Sequence, residues 1–401
     1  MSGGANISNP SIEQRLGKLL IAIVAGEASA DLHGANLVKA IRQIEPRTSF
    51  VGLGGPRMAA EGVKILVPAA ETAVVGLSEV AKKIGNIAKA YFTLCRFLRK
   101  FRPSLLILID FPDFNLRIAA KAKRWSIPIM YYISPQVWAW RSGRAKKIAS
   151  LVDRIVCILP FEEDFYRQRG ISVDYVGHPI LDAIPGEIRR QDLREKIGLA
   201  DSYPVVGIAP GSRDQEIQSL LPIMLRAVER LSKRYSCLSC LLPLAPTIDK
   251  NKIKALVGNF SIPLKIWSQS TYEVFSCCDC AIVASGTATL EAAIAEVPMV
   301  VAYKMSPLSF FLAKRVVKVD HISLVNLIAG YEAVPELIQE GVTPEQIERH
   351  LITILENSIA RQKTIHALRE VKEKLGTAGA SSRAAEIAMT IIESHFGKQG
   401  Q

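Results

Sequence analysis

Two kinds of stretch alternate along this chain. Short unbroken apolar runs recur at Leu19–Ala25 (LLIAIVA), Phe50–Leu53, Leu105–Ile109 (LLILI), Pro128–Ile133 and Ile155–Leu159. Similar runs follow at Pro204–Ala209, Leu238–Leu244, Leu264–Trp267, Ala281–Ala284 and Met299–Tyr303, broken only by Ser239 in the second and Lys265 in the third. A short run without polar alternation suits a strand buried on both faces, as in a parallel sheet. Between the runs lie glycine or proline turns and segments with helical spacing: Leu32–Gln43, Arg57–Glu61, Leu116–Trp125, Pro160–Gly170, Glu216–Arg234 and Thr287–Glu296. Strand, glycine turn and helix in repetition predict doubly wound α/β architecture. The charged stretch Arg189–Lys196 interrupts the series and places a boundary near 185–203. This gives two Rossmann-like units, 19–190 and 200–357, with no sequence identity between them. Residues 1–18 are polar and predicted flexible. Ala69–Ser78 reads as a loop turning at Gly76. The segment 358–401 predicts a long helical region, Ile359–Phe396, crossing a domain or a partner subunit.

One helical segment differs from the others. Val80–Arg102 carries seven Lys or Arg and no acid. Ile84, Ile87, Ala88, Tyr91, Leu94, Cys95 and Leu98 form a stripe at helical spacing, and Phe92, Phe97 and Phe101 lie beyond it. An ordinary amphipathic helix with one buried face explains the stripe. An interfacial helix resting on anionic lipid explains the extra aromatics and the charge. Leu308–Lys318 (LSFFLAKRVVK) poses the same pair of alternatives, core helix or lipid contact.

Composition narrows the function class. The 401 residues suit two domains. A net charge of +12 favours a polyanionic partner: nucleic acid, an acidic membrane surface or phosphorylated small molecules. No secretory signal is visible, and no apolar stretch is long enough to span a bilayer. A soluble or peripherally bound protein is expected. The seven cysteines are expected to be reduced. A zinc site would have to join Cys237 and Cys240 to Cys277, Cys278 and Cys280. Both groups lead into strand-like runs, where small buried hydrophobes explain them better.

Candidate chemistry collects at three turns. After Leu105–Ile109 come Asp110 and Asp113 around Pro112. In open α/β sheets ligands bind beyond the carboxyl ends of the strands, so Asp110 is a candidate catalytic acid or base. A cap for the following helix is the competing explanation for either aspartate. Ala209-Pro210-Gly211-Ser212-Arg213 places a glycine, a helix start and a cation where a diphosphate could sit. Ala284-Ser285-Gly286-Thr287 opens a helix with small residues, and Glu291 beyond it could accept two ribose hydroxyls. Neither turn is a GxGxxG or a GxxxxGK[ST] fingerprint, which argues against a dinucleotide enzyme or a P-loop ATPase. In Ser134–Ile148, Trp138 and Trp140 precede Arg141, Arg144, Lys146 and Lys147. Base stacking, a rim around a phosphorylated ligand and a packed turn are all open readings. His178, before a proline, is either a catalytic group or a structural hydrogen-bonder. Two α/β domains, a nucleotide in the second and an acid at a strand end in the first make the GT-B layout, two Rossmann-like domains facing a cleft.

Ordered motifs across nearly the whole length carry a resemblance: AGEASADLHGA (25–35), GGPRM (54–58), DFPDFN (110–115), YYISPQVWAWR (131–141), LPFEEDFY (159–166), VGHP (176–179), PGSR (210–213), ASGTATLEA (284–292), PMVVAYK (298–304) and NLIAG (326–330). The chain resembles the bacterial lipid-A-disaccharide synthases. Ala30 stands where that family usually has Gly, Phe111 where it usually has Ala, and Val325 where it usually has Pro. The resemblance implies an inverting glycosyltransferase. UDP-2,3-diacylglucosamine would donate its sugar to the 6-hydroxyl of 2,3-diacylglucosamine 1-phosphate, giving a β(1→6) disaccharide 1-phosphate and UDP. It implies Asp110 as base, Arg213 on a phosphate and Glu27 in the same cleft as the catalytic group. Gly211, Ser212, Ser285, Gly286, Thr287, Glu291 and Asn326 would lie on the UDP side. Asp113 is then left to cap the turn. No metal is expected, because the two aspartates lack the DxD spacing of metal-dependent transferases, and no cofactor is expected. The implied partners are the two lipid substrates, an anionic inner-membrane surface met from the cytoplasm through the basic helix 80–102, and a homodimer through the C-terminal region. Nucleic acid is not among them. Another GT-B enzyme, such as a UDP-sugar 2-epimerase, and a non-enzymatic binder of anionic surfaces are the competing functions.

Overall fold

The computed structural model describes residues 19–72, 77–140, 143–184, 186, 188–244, 248–307, 310–311 and 319–399. The chain divides into two compact units. One runs to Asp182 and takes back the chain from Thr377; the other is Ala183–Gly376.

The first unit is built on a seven-stranded sheet in the order β3-β2-β1-β4-β5-β6-β7. Its strands are β1 (Leu20–Ala25), β2 (Ser49–Gly54), β3 (Lys64–Pro68), β4 (Leu105–Ile109), β5 (Ile129–Tyr132), β6 (Arg154–Cys157) and β7 (Asp174–Tyr175). All pairings are parallel. β1 and β4 lie side by side near the centre, with Ala25 opposite Ile109. All five residues of β4 are buried, which is why the run has no polar position. One face of the sheet is covered by the helices Leu77–Phe101 and Pro112–Arg124, through Ala90, Leu94, Leu98, Ile118 and Ala122.

The second unit holds a six-stranded sheet in the order β10-β9-β8-β11-β12-β13. The strands are β8 (Val205–Ala209), β9 (Ser239–Pro243), β10 (Leu264–Trp267), β11 (Cys280–Ala284), β12 (Met299–Tyr303) and β13 (Glu336–Ile338). They too are all parallel. The helix Asp214–Ser232 packs on this sheet through Leu220, Leu221, Met224, Leu225 and Val228.

Several boundaries differ from the sequence reading, each for a physical reason. β3, β7 and β13 lie at sheet edges, where shorter or partly exposed strands leave weak apolar runs. The expected loop Ala69–Ser78 begins with a short helix, Ala69–Thr72, and Leu77 already belongs to the long basic helix; Gly76 lies outside the described residues. The tail is two helices rather than one. Ser358–Lys374 buries Ala367, Leu368 and Val371 in the second unit. Ala380–Gln399 packs against the helix Ala28–Ile44 of the first. Gly376 and Gly379, at φ 88° and 96°, turn the chain between them through the left-handed region that glycine adopts without cost.

Three carboxylates, buried at Asp31 and Asp279 and half-buried at Asp182, fix distant segments. Asp31 accepts the backbone N–H groups of Gly55, Arg57 and Met58 at 2.7, 3.0 and 3.1 Å, joining the AGEASAD and GGPRM motifs. Asp182 accepts from Gly379, Ala380 and Ser381 at 2.6, 3.2 and 3.0 Å, and so caps the returning tail helix. Asp279 accepts from Arg190 at 2.6 Å, Arg194 at 2.8 Å and the Val205 N–H at 2.7 Å. Cys157, Cys240, Cys277, Cys278 and Cys280 are buried thiols. Among the described residues no three His, Cys, Asp or Glu gather as a metal site, and no helix is long and apolar enough to cross a membrane.

Candidate active site

In each sheet the chain order reverses once. The reversal falls between β1 and β4 in the first unit and between β8 and β11 in the second. At such a switch point the connections leave on opposite faces and open a crevice beyond the strand ends. The turns singled out from the sequence follow these four strands.

In the first unit, Gly26 and Glu27 follow β1, and Asp110 and Phe111 follow β4. The two turns touch. A Cβ on Gly26 would lie 2.5 Å from Phe111 ring carbons, so glycine is what admits that ring. The ring stacks in turn on Phe114 at 5.0 Å. Asp110 and Phe111 have φ of 44° and 48°, and Ile133, just past β5, has φ 61°. Non-glycine residues in the left-handed region cost about 1–3 kcal/mol each and gather at functional sites. The strain is held by hydrogen bonds: the Asp110 carbonyl accepts from the Tyr131 hydroxyl and from Asn115 Nδ2, both at 2.7 Å, and Asn115 also reaches the Ile109 carbonyl at 3.2 Å. The backbone is clamped this way and presents the carboxyl beyond the strand. Burial pushes the Asp110 carboxyl up to about 6, the charge of Glu27 adds to the rise, and the Phe111 N–H opposes it. A carboxylate with that proton affinity is still mostly ionised near neutral pH and accepts a proton more readily than an ordinary aspartate.

Asp113 is not the helix cap that the sequence suggested. The cap position is Phe111, without a side-chain hydrogen bond. Asp113 lies in the first turn of Pro112–Arg124 and pairs with Arg144 at 2.8 Å.

Sequence reasoning missed Glu162 as an individual residue. It is buried, accepts the N–H groups of Ile158 and Leu159 at 3.3 and 3.1 Å, and accepts Trp138 Nε1 at 3.2 Å. Burial raises it to about 7, the three donors oppose the rise, and the charge of Asp110 contributes a little. The usable signal was the Leu-Pro-Phe-Glu spacing, which sets Glu162 at the third helical position, where its carboxylate accepts the N–H of the cap residue Leu159. Trp138 is also packed edge-on to Phe161 at 4.8 Å, which makes its indole part of a packed turn. The side chains of Trp140 and Arg141 lie outside the described residues. His178 accepts the Ile180 N–H at 3.1 Å through Nδ1; burial lowers it to about 3, so it is a neutral structural hydrogen-bonder.

In the second unit, β8 and β11 are neighbours, with Ala209 opposite Val283. Gly211 has φ 113°, and a Cβ there would fall on the Glu216 side chain, so the turn requires glycine. Arg213 occupies the cap position of Asp214–Ser232. Its exposed guanidinium meets Glu216 at 3.3 Å, and the Ser212 N–H donates to the same carboxylate at 3.2 Å. Glu216 thus takes the cation and N–H that an anion would use, a role the sequence did not reveal. Ser285 donates to the Ile322 carbonyl at 3.0 Å. Thr287 is exposed at the start of Ala288–Ile294. Glu291 follows in that helix's first turn; burial pushes it up to about 7, opposed by a hydrogen bond from Thr271.

Asn326 sits deeper than the rest and is fully buried. Its amide donates to the Val334 carbonyl at 2.8 Å and to Glu336 at 2.9 Å. Its oxygen accepts from the Ala333 and Val334 N–H groups at 2.9 and 3.0 Å. An amide offers two donors and two lone pairs, and all four are used. Glu336 in turn accepts the N–H groups of Ile322 and Ser323 at 2.8 and 2.9 Å. Asn326 therefore supports the loop that Ser285 leans on. The structure brings Glu27 and Asp110 together in one unit. It places Gly211, Ser212, Arg213, Ser285, Gly286, Thr287 and Glu291 around the switch point of the other.

Comparison with known proteins bears on the fold and on the family. Among solved structures, the Neisseria meningitidis UDP-GlcNAc 2-epimerase bound to UDP-GlcNAc superposes with a TM-score of 0.62 over 93% of this chain and 100% of its own, at 12% identity. The calicheamicin glycosyltransferase CalG4 gives 0.58 over 95% and 98%, at 14% identity. At such identities the likeness establishes the fold, which is GT-B. The sequence profile described as lipid-A-disaccharide synthetase matches residues 21–392. The lipid-A-disaccharide synthases of Geobacter metallireducens and Geobacter sulfurreducens are 45% and 44% identical over 372 residues, 93% of this chain and 97% of each relative. With both turn sets at their switch points and the family match running through them, this chain belongs to the lipid-A-disaccharide synthase family.

Proposed function

We propose that the chain transfers the sugar of UDP-2,3-diacylglucosamine to the 6-hydroxyl of 2,3-diacylglucosamine 1-phosphate, forming the β(1→6) lipid A disaccharide 1-phosphate and UDP. The observation that carries this reading is the single-family match over residues 21–392. In the proposed mechanism the acceptor hydroxyl gives its proton to Asp110 as its oxygen attacks the anomeric carbon. The bond to UDP breaks on the opposite side, and the configuration inverts. Burial keeps Asp110 basic, and the charge of Glu27 adds to this. Charge developing on the diphosphate is met by backbone N–H groups of the Gly211-Ser212 and Gly286-Thr287 turns and by Arg213, which exchanges Glu216 for phosphate. Such pre-aimed donors act most strongly on charge that develops in the transition state. Glu291 takes the ribose hydroxyls. Asn326 acts through the loop it supports.

Both substrates carry acyl chains, so the proposed setting is the cytoplasmic face of the inner membrane, with the basic helix Leu77–Phe101 toward anionic lipid. The second candidate, Leu308–Lys318, lies outside the described residues apart from Phe310 and Phe311. A second copy of the chain is a further proposed partner. Both tail helices bury apolar residues within their own units, so sedimentation of the full chain decides that point.

The function is tested with purified chain, UDP-2,3-diacylglucosamine and the acceptor in detergent. Equimolar disaccharide and UDP are expected. A UDP-sugar epimerised at carbon 2 without UDP release would overturn the reading in favour of the epimerase alternative, and absence of both products would overturn it outright.

A further inference from the structure

We propose that Trp138 is a stacking platform for the glucosamine ring of the acceptor and that Glu162 is the residue that positions it. This rests on the transfer reaction proposed above and gives the acceptor sugar a contact. β4, β5 and β6 are neighbours in the sheet, and Ile109, Tyr132 and Val156 stand side by side at their ends. The segments that follow leave the sheet together: Asp110 after β4, residues 134–138 after β5 and residues 158–162 after β6. The Asp110 N–H donates to the Ile133 carbonyl at 3.3 Å. Arg144, further along the segment after β5, pairs with Asp113 at 2.8 Å. The stretch that carries Trp138 is thus pinned, on both sides of the indole, to the turn that carries the base.

Three observations point to a sugar ring. The first is the hold on the indole. Glu162, 1% exposed, gives one carboxylate oxygen to the N–H groups of Ile158 and Leu159 and the other to Trp138 Nε1 at 3.2 Å. Phe161 meets the same ring at 4.8 Å and 85°. Val137, next in the chain, is buried in the core, and Ser134 is hydrogen-bonded to the buried Tyr166. A buried carboxylate is costly, and here it fixes the plane of one side chain. The second is what stays open. Trp138 is half-buried with its N–H already satisfied, so it offers a ligand its π surface. The C–H groups on one face of a sugar ring suit the electron-rich face of an aromatic ring. An acyl chain would gain from any orientation of the indole, since apolar contact is non-directional; a fixed plane favours a ring that stacks. The third is the base. Asp110 belongs to this unit, and the hydroxyl it serves must lie within hydrogen-bond reach of it. A platform locked by packing and hydrogen bonds beside the base holds that hydroxyl in place.

The test is titration calorimetry of the full chain with 2,3-diacylglucosamine 1-phosphate in detergent, beside UDP affinity, turnover and melting temperature. Trp138→Ala is expected to weaken acceptor binding by about three- to tenfold and to leave UDP affinity native. Trp138→Phe keeps a ring and should recover most of the loss. Glu162→Gln keeps an oxygen for the Ile158 and Leu159 N–H groups and turns its NH2 toward the indole N–H. It therefore releases the ring and should weaken acceptor binding by a similar factor. In the Trp138→Phe background no indole N–H remains to lose, so Glu162→Gln should have no further effect on acceptor affinity; a role confined to stability would add its effect in both backgrounds and overturn the proposal. Should the Ala variant fail to fold, the Phe and Gln variants carry the same comparison. The weakening should be equal for acceptors with short and long acyl chains, and a loss that grows with chain length would overturn the proposal in favour of an acyl contact. Equal weakening of acceptor and UDP would overturn it too. Binding is read without turnover, so the two readings fail separately. Acceptor binding that depends on Trp138 without disaccharide formation overturns the proposed function alone. Disaccharide formation with native acceptor affinity in folded Trp138→Ala overturns the platform alone.

Discussion

Replacing Asn326 by Ala separates two roles that the family resemblance and the geometry give this residue. The side chain is fully buried and makes four hydrogen bonds of 2.8–3.0 Å. Truncation strands the N–H groups of Ala333 and Val334 and the Val334 carbonyl, and it removes a donor from Glu336. A buried polar group left unsatisfied costs about 1–3 kcal/mol. Water entering the vacated space restores part of this, so about 3 kcal/mol is expected overall. For a unit of this size each kcal/mol shifts the midpoint by about 2–4 °C, so Tm should fall by about 6–12 °C. Asn326→Asp should do at least as much harm. It keeps the shape but sets an acceptor against Glu336 and the Val334 carbonyl. The assay is calorimetry of the full chain beside KM for the UDP-sugar, measured well below the melting range. A supporting residue lowers Tm and changes KM little. A normal Tm with a many-fold rise in KM would refute the reasoning and return Asn326 to direct nucleotide contact.

The remaining predictions concern the two switch points and the frame beneath them. A base must be deprotonated to act, so kcat/KM should fall as pH drops through about 6, where Asp110 gains its proton. Glu27→Gln removes a negative neighbour that raises this value, so the acid limb should move to lower pH; an unmoved limb, or one moved upward, would contradict the coupling. Gly211→Ala forces a side chain to φ 113° and onto Glu216, and should weaken UDP binding by about tenfold in titration calorimetry; native affinity would contradict it. Asp279→Ala leaves the largely buried Arg194 without its carboxylate and should cost about 3–5 kcal/mol in denaturant unfolding; an unchanged midpoint would show that the network adds nothing.

The central strands were legible because their position demands it. A strand covered on both faces has no use for a polar residue, and β4 coincides with its apolar run, Leu105–Ile109. Edge strands lack that constraint, so Lys64–Pro68 and Glu336–Ile338 do not stand out. The break in the tail rests on two glycines in an otherwise helical composition, and composition does not record φ. For the site, the turns could be found but not their neighbours, since a sequence does not give strand order. Spacing alone left Asp110 and Asp113 interchangeable and only the family resemblance separated them; that Asp110 is clamped through its carbonyl by Tyr131 and Asn115, and that Asp113 pairs with Arg144 instead of capping the helix, came from the fold. Asn326 looked like a ligand contact because a buried amide and an exposed one share the same letter. Asp31 and Asp182 bind partners 24 to 199 residues away, which only folding brings together.

The central claim is that Asp110 accepts the proton of the attacking hydroxyl. Asp110→Asn tests it most directly, because asparagine tolerates the left-handed backbone at this position and removes only the basic oxygen. Turnover to disaccharide and UDP should be measured beside UDP-sugar affinity and melting temperature. The account predicts a fall in kcat of about 10²–10⁴-fold, with affinity and melting temperature near native. Native turnover by the folded variant would contradict it.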